Sequence, residues 1–107
     1  MLFSWSSDKW FVSPYNFVDD VVKNFKLPER VIIHDTTLRD GEQQAGVVFR
    51  KNEKLEIAMA LDEAGVHRIE VSMPAVSRED FEATREIAKQ GLNAMIMAFT
   101  RCLRSDV

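Results

Sequence analysis

The chain has 107 residues, of which 46% are hydrophobic and 29% charged, and this composition is typical of one globular domain rather than a disordered or membrane-spanning segment. The formal net charge is only -3, and because Lys and Arg form no basic block, a nucleic-acid partner is not expected. No apolar run reaches the roughly 18 residues of a membrane helix, and a leader peptide is not evident. With Cys102 as the single cysteine, the sequence predicts a cytoplasmic protein without disulfides or a membrane partner.

Residues 1–29 form a region of different character, because they hold both tryptophans and several phenylalanines. Within this region, apolar side chains recur at helical spacing after the Ser13-Pro14 pair, and they predict a short amphipathic helix. These side chains are Phe17, Val18, Val21, Val22 and Phe25. The Leu27-Pro28 pair is a natural break, so residues 1–29 are predicted to be an N-terminal extension.

From residue 30 onward the chain alternates between two kinds of segment. Short apolar, β-branched runs predict strands over residues 30–35, 66–73 and 92–99, whereas helical periodicity predicts helices over 51–65 and 78–90. Strands that are separated by single helices pair in parallel through right-handed crossovers. The fold class is therefore α/β with a parallel sheet.

The ends of the predicted helices carry recognisable signals. Gly65 and Gly91 follow the two helices, where glycine commonly ends a helix. Ser77 with Asp80 three residues later resembles a capping box at the start of the second helix.

Two architectures compete for this pattern: an open doubly wound sheet and a (βα)8 TIM barrel. The first strand is not followed by a G-x-G-x-x-G or P-loop motif, and the connection from about residue 35 to residue 50 is much longer than usual, which is typical of a functional loop. Both features favour the barrel. A barrel uses about 31 residues for each of its eight strand-helix units, so residues 30–107 supply only the first two to three units of an incomplete (βα)8 catalytic domain.

The long connection begins with a dense polar cluster at the carboxyl end of the first strand, the end where such enzymes bind ligands. Asp40 could donate an oxygen to a hard divalent cation, and Arg39 offers a planar fork for a carboxylate or a developing oxyanion. For an arbitrary charged loop, a salt-bridged turn without a ligand is the alternative.

The string LRDGEQ, with Lys54 eleven residues beyond Gln43, resembles the first signature of the isopropylmalate, homocitrate and citramalate synthase family, which shares its TIM barrel with HMG-CoA lyase. The matching positions are Leu38, Arg39, Asp40, Gly41, Gln43 and Lys54. The segments LDEAGVHRIEVSMPAVS and AFTRC also resemble the second and third strand regions of that family. The resemblance covers the N-terminal portion of the barrel only.

This resemblance implies a metal-dependent acyltransferase of amino-acid biosynthesis, active as a homo-oligomer, that joins the acetyl group of acetyl-CoA to a 2-oxo acid by a Claisen-type condensation. It implies that Asp40 is a ligand of a divalent metal (Mg, Mn or Zn). It further implies that Arg39 stabilises the oxygen that acquires charge, that Gln43 contacts the 2-oxo acid and that Glu70 lines the same cavity.

The resemblance also implies that part of the site lies outside this sequence. Family members complete the metal site with a His-any-His pair late in the barrel, whereas this chain has only His34 and His67, which are expected to have structural roles. The metal would therefore be incompletely liganded, and the chain alone is expected to be inactive.

Three alternatives to the synthase remain. A metal-dependent acyl-CoA lyase and a carboxyltransferase barrel share the Arg-Asp pair, although their first-strand motifs differ from this one. A non-catalytic assembly or folding fragment would carry the motif without using it. Ser72, Met73 and Pro74 also depart from the commoner Gly-Phe-Pro of the second strand loop, which suggests an atypical member.

Overall fold

The structure is a computed structural model that describes residues 6–106. The chain divides into two compact units, Met1–Val31 and Ile32–Val107. Phe3 and Trp5, which belong to the predicted N-terminal extension, lie outside the described residues.

The first unit contains two short helical turns instead of the single helix that the spacing predicted. A 3-10 helix spans Pro14–Phe17 and helix α1 spans Asp19–Val22. They are separated by Val18, which has extended backbone angles (φ -70°, ψ 147°). Extended backbone suits a β-branched side chain, and this residue interrupts the helical periodicity on which the prediction was based.

The second unit is an alternating strand-helix chain. Its elements, in chain order, are β1 (His34–Asp35), α2 (Lys51–Glu63), β2 (Arg68–Ser72), α3 (Arg78–Ala88) and β3 (Met95–Ala98). Two 3-10 turns, Gly41–Gln43 and Arg104–Asp106, follow the first and the last strand. The three strands form one parallel sheet in the order β1-β2-β3, so the predicted parallel α/β fold is confirmed.

The first strand is shorter than predicted. Pairing begins where the carbonyl of Ile33 accepts hydrogen bonds from the amides of His67 (3.2 Å) and Arg68 (3.1 Å), and β1 is paired in register only over His34 and Asp35. The strand therefore comprises His34 and Asp35 only, whereas the sequence predicts a strand from residue 30.

Helices α2 and α3 cover one face of the sheet. Ile69 and Val71 of β2 are fully buried and belong to one core cluster with Ala58 of α2 and Ile87 of α3. Alternate residues of a strand point to opposite faces. This packing therefore fixes the direction of the remaining side chains of β2.

The opposite face of the sheet carries ionisable side chains. The register places Arg68 beside His34 on one side and beside Met95 on the other, and Glu70 beside Met97. These residues alternate with the buried ones and therefore share the face that α2 and α3 do not cover. A register shift lies between Glu70 and Ser72, and Ser72 accordingly turns to the helix side, where its hydroxyl lies 2.7 Å from the Thr84 hydroxyl of α3.

The helix ends follow the sequence signals. The Ser77 hydroxyl accepts a hydrogen bond from the Asp80 amide (3.0 Å), which confirms the predicted cap of α3. Gly65 and Gly91 have positive φ values of 83° and 67°, a conformation that glycine adopts without steric cost. Within residues 6–106, no helix is long and apolar enough to cross a membrane.

Candidate active site at the carboxyl end of the sheet

The loop after β1 is held by its own backbone and by one buried anchor. The Asp35 carboxylate accepts hydrogen bonds from the Thr37 amide (2.9 Å) and the Thr37 hydroxyl (3.1 Å), and the Thr36 carbonyl accepts three successive amides, including that of Asp40 at 2.7 Å. Leu38 is fully buried in the core. Asp35 therefore shapes the turn, and Leu38 fixes it to the sheet while the neighbouring side chains face outward.

Three predicted site residues meet directly above the strands, and we call them the Arg39 cluster: Arg39, Asp40 and Glu70. The Arg39 guanidinium lies 3.2 Å from Asp40 Oδ1 and 3.5 Å from Glu70 Oε1. Arg39 and Glu70 are largely covered, whereas the Asp40 side chain is 63% exposed. A carboxylate that is this open can bind a further cation without first leaving a buried partner.

Two further residues contact this cluster. Phe99, just after β3, lies under the Arg39 guanidinium, with 4.3 Å between the guanidinium carbon and the ring centroid, a distance at which cation-π attraction operates. His34 Nε2 lies 3.5 Å from Glu70 Oε2. Side chains of β1, of β2 and of the residue that follows β3 thus belong to one group of contacts.

Gln43 lies beside Arg39 at a small cavity of about 130 Å³. The loop residues of this cavity face Ser72 and Met73 at the end of β2. The Gln43 amide, which is predicted to contact a substrate, therefore lies on the same surface as the Arg39 guanidinium.

A second charged group, which we call the Lys54 cluster, ties the loop to both helices. The Lys54 ammonium of α2 lies 2.6 Å from Glu42 Oε2 and 2.7 Å from Asp80 Oδ1. Its side chain is only 3% exposed. The other oxygen of the Glu42 carboxylate accepts the Phe49 amide at 2.8 Å.

Ionisation in the Lys54 cluster follows from these contacts. Burial acts to lower the pKa of Lys54, but hydrogen bonds to Asp80 and Glu42 outweigh it, so the pKa is raised above the ordinary 10.5. Burial likewise acts to raise the pKa of Asp80, but hydrogen bonds from Lys54 and Ser77 lower it below 3.8. Lys54 and Asp80 are therefore both charged at neutral pH.

A divalent cation fits this chain only in part. Asp40 supplies one open carboxylate, but no group of three His, Cys, Asp or Glu side chains suited to a metal occurs within residues 6–106. A hard cation requires about six donors in all. The described residues can therefore contribute to a metal site but do not constitute one.

The structure brings the predicted site residues together around one guanidinium. Asp40 and Glu70 each contact Arg39, and Gln43 lines the adjacent cavity with Arg39. His67 has a structural contact, because its Nδ1 accepts the Ile33 amide at 3.1 Å.

Two features were missed by the sequence reasoning. Phe99 belongs to the AFTRC string, but nothing in the string indicates stacking on Arg39. Asp80 was interpreted only as part of a helix cap, because a sequence does not show that a lysine 26 positions away reaches it.

Comparison with known proteins supports one family. The HMGL-like family model matches residues 30–107, a range that includes every residue of the two clusters. The chain is 53% identical over 95 residues, 89% of its length, to the homocitrate synthase AksA of Methanopyrus kandleri, of which it covers 23%. It is 52% identical over 83 residues, 78% of its length, to 2-isopropylmalate synthase 2 of Caldanaerobacter subterraneus, of which it covers 22%.

The chain is 49% identical over 78 residues, 73% of its length, to homocitrate synthase 1 of Nostoc sp., of which it covers 21%. The chain thus spans less than a quarter of the length of these relatives. The match of the family model to most of the sequence nevertheless shows that the chain belongs to the HMGL-like family.

Proposed function

We propose that residues 30–107 form the first three strands of a (βα)8 barrel that condenses acetyl-CoA with a 2-oxo acid. The observation that carries this proposal is the Arg39 cluster at the carboxyl ends of adjacent parallel strands, with Gln43 beside it. The relatives named homocitrate synthase and 2-isopropylmalate synthase support the same reaction class. Residues 1–29 would be an extension before the barrel.

The two faces of the sheet favour a barrel over an open doubly wound sheet. In a doubly wound fold helices cover both faces, and both faces are apolar. Here the second face carries His34, Arg68 and Glu70. Charged side chains in this position suit the interior of a barrel near its active site.

The edges of the sheet support an incomplete barrel. Ile32 and Ile33, next to β1, are 49% and 56% exposed, and Met95 of β3 is 57% exposed. In a closed barrel, neighbouring strands would cover these side chains. We propose that the strands missing from residues 30–107 lie against these edges.

The chemistry proposed for the site follows from the donors that the chain offers. The Arg39 guanidinium has five N–H donors, more than its contacts with Asp40 and Glu70 use, so it can bind a substrate oxygen and stabilise negative charge that develops there. Glu70 and Phe99 hold the guanidinium from two sides, and Gln43 orients the 2-oxo acid. Asp40 would hold a divalent cation that, when bound, polarises the substrate carbonyl.

The rest of the site would come from residues beyond this sequence. We propose that the complete protein is a cytoplasmic homo-oligomer of amino-acid biosynthesis, with neither a nucleic-acid nor a membrane partner. We further propose that the 107-residue chain alone has no turnover and binds divalent cations weakly. A submicromolar affinity for Mn2+ or Zn2+ in calorimetric titration of the chain would contradict this proposal.

The proposed function is tested by assaying the complete barrel protein that contains this chain. The protein is incubated with acetyl-CoA and a panel of 2-oxo acids, and free CoA is measured with a thiol reagent. The condensation forms a CoA thioester, and its hydrolysis by water releases free CoA, so we expect CoA release that depends on one or a few of the 2-oxo acids. Cleavage of a hydroxyacyl-CoA without CoA release from the panel would instead identify an acyl-CoA lyase. Transfer of a carboxyl group would identify a carboxyltransferase.

A further inference from the structure

We infer that Lys54 is a positioning residue that holds the loop after β1 in the geometry in which Asp40 and Gln43 face the substrate. Lys54 matches the last position of the family signature that begins with Leu38, and the sequence alone indicates no chemical role for it. This inference rests on the proposed function. It adds to that function a residue that touches neither substrate nor metal.

The ammonium of Lys54 joins three parts of the fold. Lys54 lies in α2, Glu42 lies in the 3-10 turn Gly41–Gln43 of the loop, and Asp80 lies in the first turn of α3. The two contacts of 2.6 and 2.7 Å are the length of strong, charge-assisted hydrogen bonds. Through Lys54 the loop is therefore fixed to both helices that support the sheet.

Glu42 transmits this restraint to the site. It lies between Gly41 and Gln43 in the chain and two residues after Asp40. Its second oxygen accepts the amide of Phe49, which closes the loop on itself. Displacement of Glu42 would therefore move the backbone that carries Gln43. It would also break the hydrogen bond from the Phe49 amide at the other end of the loop.

Two other roles of Lys54 fit the geometry poorly. A general base or a Schiff-base lysine must lose its proton easily, which usually requires burial without a paired charge, whereas Lys54 is paired with two carboxylates. A lysine that binds a substrate anion must present its ammonium to solvent. The side chain of Lys54 is 3% exposed, and its ammonium is already bonded to Glu42 and Asp80.

The first test measures backbone hydrogen exchange in the complete barrel protein. In Lys54→Met we expect the amide of Phe49 and the amides of residues 41–48 to exchange about tenfold faster, as for the loss of one hydrogen bond. Lys89→Met is the matched control, because it removes an exposed ion pair with Glu86, and it should leave these rates unchanged. Unchanged exchange of the loop in Lys54→Met would overturn the inference.

The second test measures steady-state kinetics well below the unfolding temperature. Misplacement of a site by about 1 Å can cost about 10²-fold, so we expect Lys54→Met to raise KM for the 2-oxo acid and lower kcat, with a combined loss of about that size. KM for acetyl-CoA should not change. An ion pair that only stabilises the fold would lower the melting temperature and leave both constants unchanged, which would also overturn the inference.

The variant Glu42→Gln keeps the inference testable if Lys54→Met does not fold. It leaves Lys54 paired with Asp80 but removes the charge that restrains the loop, and we expect the same kinetic pattern. Where Lys54→Met does fold, the losses should not add in the double variant, because the two residues act through one contact. Additive losses would overturn the inference.

Separate experiments test the proposed function and the role of Lys54. Absence of CoA release by the unsubstituted protein with every 2-oxo acid would reject the synthase reaction. Loop exchange in Lys54→Met and Lys89→Met would still decide whether Lys54 positions the loop.

Discussion

Each of the two charged clusters includes residues of the loop after β1, yet the clusters differ in contact length and in exposure. In the Lys54 cluster one ammonium contacts two carboxylates at 2.6 and 2.7 Å, and its side chain is nearly inaccessible. In the Arg39 cluster the contacts are 3.2 and 3.5 Å, and Asp40 is mostly exposed. The first cluster is saturated by its internal partners, whereas the second retains donors and acceptors for a ligand.

This difference shows how charged residues that stabilise the fold can be distinguished from charged residues that bind a ligand. Arg39, Asp40 and Lys54 are all positions of one signature, so the signature alone does not show which of them stabilise the fold and which bind a ligand. Burial and short contacts assign Lys54 to the scaffold, whereas an open carboxylate beside a guanidinium assigns Asp40 and Arg39 to ligand binding. The comparison predicts that substitutions in the Lys54 cluster lower both stability and activity, whereas substitutions in the Arg39 cluster lower activity with a smaller change in stability.

The largest effect on stability is expected for Lys54→Met. Removing one partner of a buried ion pair leaves uncompensated charge and costs about 3 kcal/mol, or about 6 to 12 °C in the melting temperature of a barrel-sized domain. Differential scanning calorimetry of the complete protein measures this change. Lys89→Met, which removes an exposed pair, should lower the midpoint by about 2 °C or less. Equal midpoints for the two variants would contradict the burial argument.

The largest effect on activity without a matching effect on stability is expected for Arg39→Lys. The lysine keeps the charge but loses the planar fork, and one donor to a developing oxyanion is typically worth about 10² in rate. We expect CoA release to fall by that factor while the melting temperature falls by less than in Lys54→Met, because the lysine retains a positive charge beside Asp40 and Glu70. A rate near that of the unsubstituted protein would remove the role assigned to Arg39.

A smaller effect is expected for Phe99→Leu. The substitution removes the ring beneath Arg39, and a cation-π contact at a partly exposed site is worth about 0.5 to 1 kcal/mol, so kcat/KM should fall about threefold. Phe81→Leu is the matched control, because Phe81 is also exposed but lies on α3. Equal kcat/KM values for the two variants would show that Phe99 does not orient the guanidinium.

The smallest effect concerns acid stability. The pKa of Asp80 is lowered in the folded state, so its stabilising contribution is fully present above the ordinary value of 3.8 and is lost as the pH falls through the lowered value. In Lys54→Met the hydrogen bond that does most to lower the pKa of Asp80 is absent. The fall in melting temperature between pH 5 and pH 3 should therefore be smaller in this variant than in the unsubstituted protein. If the melting temperature of Lys54→Met fell as much as that of the unsubstituted protein, the stabilising role of the contact between Lys54 and Asp80 would be contradicted.

The fold was largely predictable because each element of the second unit carries a local signal. The apolar runs and the Ser77 cap correctly placed β2, β3 and α3 to within a few residues. The length of β1 was not predictable, because it depends on where β2 begins opposite it. The helical spacing predicts one helix in the first unit instead of two turns, because spacing alone does not show that Val18 is extended.

The site was predictable only as a set of residue types at one end of a strand. The LRDGEQ string placed Arg39 and Asp40 next to each other, but the contact with Glu70 depends on the pairing of β1 with β2. The stacking of Phe99 and the reach of Lys54 to Asp80 are properties of the folded chain. Nothing in the structure explains Gly41 sterically, because an added Cβ would meet only a side-chain methyl at an ordinary 3.7 Å.

The most direct measurement of the central claim is a crystal structure of the complete barrel protein with a 2-oxo acid and a divalent cation. We predict that an oxygen of the 2-oxo acid lies within hydrogen-bonding distance of the Arg39 guanidinium, that the Gln43 amide contacts the same molecule, and that Asp40 is one of the cation's ligands. A 2-oxo acid bound away from Arg39, or a cation bound without Asp40, would contradict the account.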